Sequence, residues 1–142
     1  MAEQIKEVIK QEYIKCAQDP VYFLKKYCMI QHPIKGKIPF SLYPFQETTI
    51  NEIKDNRFNI ILKARQLGIS TLTAGYSLWM MTFFQDKNIL VIATKQDTAK
   101  NLVTKVRVMH ANLPSWLKQR CVEDNKLNLR YVNGSQIKAS AS

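Results

Sequence analysis

Three observations in the sequence predict an α/β fold with a parallel sheet and flanking helices. Two short apolar runs, residues 58–62 and 88–93, each come before a segment with helical periodicity. This alternation is typical of parallel strands joined by right-handed helical crossovers. The third observation is Asn133-Gly134, which lies between β-type runs at 127–132 and 135–139 and is the strongest short signal for a hairpin.

The first part of the chain predicts helices and a short extended segment. Residues 2–17 carry apolar side chains at helical spacing, with lysines and glutamates between them. Asp19-Pro20 is typical of an N-cap followed by proline at the first helical position. The helix that begins there is expected to bury Val21, Leu24 and Tyr27. A hairpin or extended loop is expected over residues 32–40, and a further helix over 46–54.

The middle of the chain predicts alternating strands and helices. Residues 58–62 are apolar and rich in β-branched side chains, as are strands buried in parallel sheets, and residues 88–93 predict a second such strand. One helix is expected after the first strand and another over 94–110. The first has an apolar face formed by Ile69, Leu72, Tyr76, Trp79, Met80 and Phe83. The second is expected to direct four side chains towards the core: Ala99, Leu102, Val103 and Val106.

Charge and cysteine spacing restrict the function. The 142 residues include 21 Lys plus Arg and 11 Asp plus Glu, and this net charge of +10 favours a polyanionic partner such as nucleic acid or nucleotide phosphates. No apolar run approaches the roughly 18 residues that span a bilayer.

Cys16, Cys28 and Cys121 lack the spacing of a zinc site or disulfide framework, so we expect free thiols. His32 and His110 are expected to be structural or surface residues.

The functional prediction depends on the loop at residues 63–71. A loop between a buried strand and a helix N-terminus binds anions, because free N–H groups and the helix dipole favour negative charge. In the P-loop template GxxxxGK[ST], glycines wrap the phosphates, lysine contacts them and Ser/Thr holds Mg²⁺. Gly68 matches the second glycine and Ser70 the hydroxyl, whereas Lys63 replaces the first glycine and Ile69 the lysine.

By spacing alone, the loop matches half of the P-loop template, so the alternative is an ordinary turn that binds no phosphate. Lys63 and Arg65 favour a phosphate site, because they leave the end of an apolar strand at the point where phosphate charge needs neutralising. Lysine and arginine are rarely buried without a partner. These two cations therefore weigh against a plain turn.

The loop Lys63-Ala64-Arg65-Gln66-Leu67-Gly68-Ile69-Ser70-Thr71 resembles the deviant phosphate loop of large terminase subunits, the DNA-packaging motors of tailed phages. In that family an Arg-Gln-x-Gly-x-Ser/Thr core is usual, and some members have the lysine at the start of the loop. The resemblance extends upstream through Asp19-Pro20-Val21-Tyr22-Phe23, Ile30-Gln31-His32-Pro33, Gly36-Lys37-Ile38-Pro39-Phe40 and Leu42-Tyr43-Pro44-Phe45-Gln46, and downstream to Ile92-Ala93-Thr94-Lys95. It covers nearly the whole chain.

The resemblance implies roles for the residues of the loop. Lys63 would contact the β- and γ-phosphates, and Arg65 would stabilise the γ-phosphate, as an arginine finger does; both are candidate catalytic residues. Ser70 would ligate Mg²⁺, with Thr71 beside it. Because Ile69 stands at the position of the usual lysine, it stays open whether Lys63 or Arg65 supplies that positive charge. Gln66 and Gly68 complete the loop's candidate cofactor contacts.

The resemblance also implies an adenine contact in the lead-in segment. Gln46 resembles a glutamine that reads adenine, and its amide can both donate to and accept from the purine edge. Tyr43 or Phe45 is a candidate to stack on the base, with a core role for either ring as the alternative.

The whole chain therefore resembles the front half of a P-loop NTPase-like motor domain with an incomplete sheet. Residues 1–57 would be a helical lead-in with an adenine-contact segment at 42–46, and residues 58–142 the first part of the ATPase core. The implied cofactors are ATP and Mg²⁺, and the implied partners are viral double-stranded DNA, a portal ring and a small terminase subunit. The working motor would be a homo-oligomer in the host cytoplasm at the procapsid, with no membrane contact.

One part of an ATPase is absent from the sequence. None of the 11 carboxylates follows a run of four apolar residues, so the Asp-Glu strand that holds Mg²⁺ and orients water is missing, and the chain is expected to hydrolyse ATP poorly. No carboxylate cluster supports nuclease chemistry. A helicase-like ATPase fragment remains an alternative, although Ile69 replaces the helicase lysine. A non-enzymatic basic module that binds nucleic acid is the other.

Overall fold

The computed structural model describes residues 1–32, 34–63 and 68–141. Within those residues the chain forms an α/β fold of five α-helices, one short 3₁₀-helix and six strands. The elements in order are α1 (Ala2–Gln18), α2 (Pro20–Tyr27), β1 (Met29–His32), β2 (Gly36–Pro39), α3 (Pro44–Asp55), α4 (Ile69–Phe83), β3 (Asn88–Ala93), α5 (Gln96–Ala111), the 3₁₀-helix Ser115–Leu117, β4 (Cys121–Asp124), β5 (Asn128–Tyr131) and β6 (Gln136–Ala141).

The strands form two sheets. Strands β1 and β2 pair as an antiparallel hairpin, and the second sheet has the order β3-β6-β5-β4. Only β3 and β6 run parallel, with α5 in the connection between them, whereas β5 pairs antiparallel with both β6 and β4. The α/β class is confirmed, but the expected parallel sheet is wrong for most of this sheet. The Asn133-Gly134 turn folds β6 back on β5 and so makes that pair antiparallel.

Residues 58–62 do not form the buried strand that their composition predicts. They form neither helix nor strand, and Phe58, Ile60 and Leu62 are 83, 99 and 100% exposed. A strand is stable only beside a neighbour that completes its backbone hydrogen bonds. No described strand pairs with these residues. Apolar, β-branched composition alone therefore does not make this segment a strand.

Strand β3 forms where predicted but is buried on one face only. Its odd-numbered residues pack against the core, whereas Leu90 and Ile92 are 59% and 60% exposed. The helices that pack on this sheet contact its other face. The expectation of a fully buried strand is therefore wrong for the side that carries Leu90 and Ile92.

The predicted helices are all present, and their local signals act as expected. Asp19 caps α2, because its carboxylate accepts hydrogen bonds from the backbone N–H groups of Val21 and Tyr22 at 3.0 and 3.3 Å. Leu24 is fully buried, whereas Val21 and Tyr27 are partly buried against the core.

On the predicted apolar face of α4, Leu72 and Trp79 are buried and the other predicted residues are partly buried. Helix α5 buries Ala99, Val103 and Val106 and half-buries Leu102.

Helix α4 joins the lead-in helices to the rest of the core. The indole Nε1 of Trp79 donates a hydrogen bond to the backbone oxygen of Cys16 at 2.8 Å, which ties α4 to the end of α1. Gly75 allows α2 to approach closely, because a Cβ at this position would lie 2.7 Å from Leu24 Cδ2 and 3.4 Å from Phe40 Cε2. The buried cluster accordingly includes side chains from both sides of residue 57.

The cysteines and histidines behave as predicted. Cys16, Cys28 and Cys121 are all free thiols. His32 accepts backbone N–H hydrogen bonds in the turn of the β1–β2 hairpin, and His110, a residue of α5, is buried against Tyr131 of the sheet. Within the described ranges, no helix has both the length and the apolar character needed to cross a bilayer.

Candidate functional site

A cavity of about 270 Å³ lies where the β1–β2 hairpin meets the N-termini of α3 and α4. Four of the residues predicted to contact a nucleotide line it together: Tyr43, Gln46, Gly68 and Thr71. The other described lining residues are Ile30, Ile38, Pro39, Phe40 and Ser41. Residues separated by more than twenty positions in the sequence therefore converge on one cavity.

Gln46 is held in place by the first turn of α3. Its side chain is 95% buried, and Oε1 accepts a hydrogen bond from the backbone N–H of Tyr43 at 2.9 Å. This is one half of a capping box, in which the third residue of a helix reaches back to the N-cap. The hydrogen bond gives Gln46 a structural role, and it also fixes the amide at the wall of the cavity.

Gly68 places the start of α4 against Gln46. It is the N-cap of α4 with φ 71° and ψ 17°, a left-handed conformation that glycine adopts without a Cβ penalty. A Cβ on Gly68 would lie 2.8 Å from Gln46 Nε2. The candidate base-reading side chain and the end of the phosphate loop are therefore in direct contact, and a larger residue at position 68 would move Gln46.

The N-terminus of α4 has the features of an anion site. No described side chain caps it, and its first turn contains no acidic residue. The first intrahelical hydrogen bond runs from Leu72 N–H to the Gly68 oxygen at 2.9 Å, so the earlier N–H groups lack helical acceptors. Together with the helix dipole, such N–H groups favour a bound phosphate. Thr71, in the same turn, lines the cavity.

The two aromatic residues of the lead-in segment are not core residues. Tyr43 and Phe45 are 66% and 44% exposed. Their rings stack on each other, with centroids 5.9 Å apart and an interplanar angle of 6°. Tyr43 lines the cavity and Phe45 does not appear among its described lining residues. Of the two candidate rings, Tyr43 is therefore the one that lines the cavity, and the alternative of a core role is wrong for both.

The remaining predicted residues have different outcomes. Lys63 and Ser70 are both exposed, Ser70 in the first turn of α4, and neither is among the described residues that line the cavity. Arg65 and Gln66 lie outside the described residues. The structure thus brings the candidate base-contact residues Tyr43 and Gln46 together with the N-terminus of α4. Their contact with a base, and the contacts of the two loop cations, stay predictions.

Sequence reasoning missed the apolar walls of the cavity. Ile30 and Ile38 are directly opposite each other in the β1–β2 hairpin, and both line the cavity with Phe40. Ile38 and Phe40 were predicted only to lie in a hairpin or extended loop, and Ile30 was not assigned to any element. Alternating apolar residues on a two-stranded hairpin must cover something, and that pattern was the available signal. Flat apolar walls with a few polar groups are typical of small-ligand sites.

No carboxylate lines the cavity among the residues that the structure describes. Within the same residues, no group of three or more His, Cys, Asp or Glu side chains is arranged to hold a metal ion. The described lining of this cavity therefore offers a cation hydroxyl and amide oxygens but no carboxylate.

A second polar cluster, under the four-stranded sheet, has the properties of a structural contact. His110 Nδ1 lies 2.7 Å from the Tyr131 hydroxyl, and Nε2 lies 3.3 Å from Cys121 Sγ. Burial lowers the pKa of His110 and raises the pKa of the Cys121 thiol. Both shifts favour the neutral forms, whereas a catalytic cysteine needs the thiolate. Neutral, hydrogen-bonded side chains suit a structural contact between α5 and the sheet.

Comparison with models of known protein families gives no match for this chain.

Proposed function

We propose that this chain is the ATP-binding part of an ATP-driven motor of the terminase type, which moves viral double-stranded DNA into a procapsid. The observation that carries the proposal is the cavity that joins Tyr43 and Gln46 to Gly68 and Thr71 at the N-terminus of α4. The resemblance of the loop and of the lead-in segment to large terminase subunits supplies the class of motor. Viral DNA, a portal ring and a small terminase subunit are the partners that the resemblance implies.

The geometry supports a purine base in the cavity and phosphates over α4. The volume of about 270 Å³ is near the lower end of the roughly 300–1,000 Å³ of drug-sized pockets, so the cavity suits a base rather than a whole nucleotide. Tyr43 offers a ring for stacking, and Gln46 an amide for the purine edge. The first turn of α4, which begins at Gly68, then offers N–H groups to the phosphates.

We propose a P-loop-type architecture as the finer fold, on the order of the elements from α4 onward, since residues 58–62 ahead of the loop form no strand. The loop before α4 leads through that helix to β3, and β3 leads through α5 and two further strands to the parallel strand β6. The largely antiparallel sheet departs from a typical P-loop domain. We therefore base the proposal on the cavity and on the N-terminus of α4 rather than on the sheet.

Binding without rapid hydrolysis is the activity expected of this chain. ATP hydrolysis requires a carboxylate to position Mg²⁺ and the attacking water, and none of the described lining residues is a carboxylate. In this proposal Ser70 ligates Mg²⁺, and Lys63 and Arg65 neutralise phosphate charge.

Calorimetric titration of Mg-ATP and Mg-GTP into the purified chain tests the proposal. We expect saturable binding of ATP, and weaker binding of GTP because the resemblance implies that Gln46 reads adenine. We also expect at least a tenfold loss of ATP affinity in Lys63→Ala and Ser70→Ala. Lys10→Ala and Ser115→Ala remove the same groups from exposed positions on other helices and should change nothing. Absence of ATP binding, or equal losses in all four variants, would contradict the proposal.

A further inference from the structure

A second cavity, of about 230 Å³, lies between β1, the first turn of α4 and the C-terminal half of α5. We call it the α5 cavity. Its apolar walls are Met29 and Ile30 of β1 and Val108 and Met109 of α5. Met109 is buried and the other three are partly buried, so these side chains form a wall rather than an exposed patch. The α5 cavity adjoins the cavity beside Gln46, because Ile30 and Thr71 line both.

One charged side chain is among the described residues that line the α5 cavity. This is Lys105 of α5, which is half-buried, and the other polar lining residues are Gln31, Thr71 and Thr104. Within the described part of the chain, Lys105 forms no ion pair with a carboxylate. The cavity therefore combines apolar walls with one cation whose charge is not neutralised.

The elements around the α5 cavity supply no carboxylate to Lys105. Strand β1 and helix α4 contain neither Asp nor Glu. The one acidic residue of α5 is Asp97, which lies eight positions before Lys105 and hence roughly 12 Å away along the helix axis. Asp124, on the neighbouring sheet, is paired with Arg107. An anionic group in the cavity would thus meet a cation without competition from a protein carboxylate.

The size and the residue types of the walls favour an aromatic ligand. An apolar cavity of roughly 150 Å³ holds one benzene ring, so the α5 cavity has room for a second, fused ring. Two of its four apolar residues, Met29 and Met109, are methionines. Their flexible thioether side chains adapt to the shape of a ligand, and their sulfur atoms make favourable contacts with aromatic rings.

We propose that the α5 cavity binds a small bicyclic aromatic acid, with its rings between Met29 and Met109 and its anionic group at Lys105. Such a ligand matches both properties of the cavity at once, because it buries an apolar body and pairs the one free cation. The proposal is independent of the nucleotide site, since it uses neither the phosphate loop nor Gln46.

Three other occupants match the cavity less well. A phosphate group would be placed against apolar walls that offer it few hydrogen bonds. A neutral aromatic molecule would leave Lys105 without a role, and an aliphatic acid would forgo the contacts of rings with the methionine sulfurs. Each of these occupants has its own outcome in the test below.

The probes are 2-naphthoate and its neutral analogue 2-naphthalenemethanol, which carry the same ring system. Binding is followed through the methyl resonances of methionine in protein labelled with ¹³C at those methyl groups. Met29 and Met109 line the cavity, whereas the other three methionines of the chain do not and serve as internal controls. We expect saturable shifts at these two methyls, with a dissociation constant for 2-naphthoate of about 1 mM or below, as for ligands of this size.

Substitutions separate the charge from the apolar walls. Lys105→Met removes the charge and keeps an unbranched apolar side chain, so it should weaken 2-naphthoate roughly fivefold and leave the alcohol unaffected. Lys100→Met makes the same change at another half-buried position of α5 and should affect neither probe. Val108→Phe fills the cavity and should weaken both probes roughly tenfold. Val122→Phe, at an exposed position of β4, is its matched control.

Four results would overturn the proposal. The first is the absence of saturable shifts at the methyls of Met29 and Met109. The second is an equal loss of 2-naphthoate affinity in Lys105→Met and Lys100→Met, which would mean that net charge attracts the probe. The third is tighter binding of the alcohol or of octanoate, which would assign the cavity to a neutral aromatic molecule or to an aliphatic acid.

The fourth contrary result is displacement of both probes by Mg-ATP, which would make the α5 cavity part of the nucleotide site. Failure of the nucleotide proposal alone would leave the shifts with 2-naphthoate unchanged, so the two proposals can fail separately. Circular dichroism shows whether each variant is folded. If Val108→Phe does not fold, the response of the two probes to Lys105→Met still decides the question.

Discussion

Substitution of Gly68 by alanine tests the contact between the start of α4 and Gln46. Two separate penalties are expected. The left-handed conformation at φ 71° costs a residue with a Cβ roughly 1–2 kcal/mol relative to glycine. In addition, the new Cβ would lie 2.8 Å from Gln46 Nε2, which must move.

The second penalty can be sized from the hydrogen bond that holds Gln46. Its Oε1 accepts from the Tyr43 N–H at 2.9 Å, so displacing the amide breaks or lengthens this bond. A bond of this kind contributes about 1 kcal/mol net. Gly68→Ala should therefore lower the free energy of unfolding by about 2–3 kcal/mol in total.

Gly36→Ala is the matched control. Gly36 has nearly the same backbone conformation, φ 73°, but a Cβ there would meet nothing within 4 Å. It should lose only the conformational part, about 1–2 kcal/mol. The difference of about 1 kcal/mol between the two variants measures the contact with Gln46.

Urea unfolding followed by tryptophan fluorescence supplies these free energies, and a double-mutant cycle separates the two penalties. In a Gln46→Ala background, Gly68→Ala should cost no more than Gly36→Ala does, because there is no amide left to displace. Equal losses in Gly68→Ala and Gly36→Ala, or a loss at Gly68 that persists in full without Gln46, would refute the reasoning.

Two further substitutions test the packing of the lead-in helices. Hydrogen bonds from the hydroxyls of Tyr27 and Tyr22 lower the pKa of Glu12 from 4.5 to about 2. The carboxylate therefore stabilises the fold above pH 4.5, and this contribution is lost as the pH falls from 4.5 towards 2. Glu12→Gln should accordingly lower the melting temperature at pH 7 and flatten its fall between those pH values; an unchanged acid profile would contradict the assignment. Trp79→Phe should lower the free energy of unfolding by roughly 1–3 kcal/mol, because it removes the buried hydrogen bond to the Cys16 oxygen. The loss is measured by urea unfolding. A loss below roughly 0.5 kcal/mol, the lower limit for one hydrogen bond, would show that this bond contributes little.

The sequence predicted those parts of the fold that depend on local signals. The cap at Asp19, the helical periodicity of α4 and α5, and the Asn133-Gly134 turn each act within a few residues, and the structure confirms all of them. Such signals depend on the backbone near the residue and not on distant contacts.

The sequence failed where the outcome depends on non-local pairing. Residues 58–62 have the composition of a strand, but a strand exists only if a neighbour is present to complete its hydrogen bonds. The position of β6 beside β3, and of β4 beside β5, likewise follows from pairing between separate segments and not from the residues of each strand. Strand composition alone states neither the neighbour nor the direction.

The candidate site was predictable in its polar residues and not in its walls. Gln46 and Gly68 belong to short motifs whose chemistry is visible in the sequence, and they do converge. Ile38 and Phe40 carry no such chemistry, and their place in the cavity depends on how the hairpin packs against α3 and α4. That packing uses Gly75, whose small size admits Phe40 and Leu24 close to α4.

The most direct test of the central claim is to locate Mg-ATP on the folded chain. Titration of Mg-ATP into the isotopically labelled protein, followed through backbone amide shifts, identifies the residues that sense the nucleotide. The account predicts saturable shifts at Gly68, Ser70 and Thr71 in the first turn of α4, and at Tyr43 beside the cavity. Shifts that spread over the exposed lysines without saturation, or no shifts at these four residues, would contradict it.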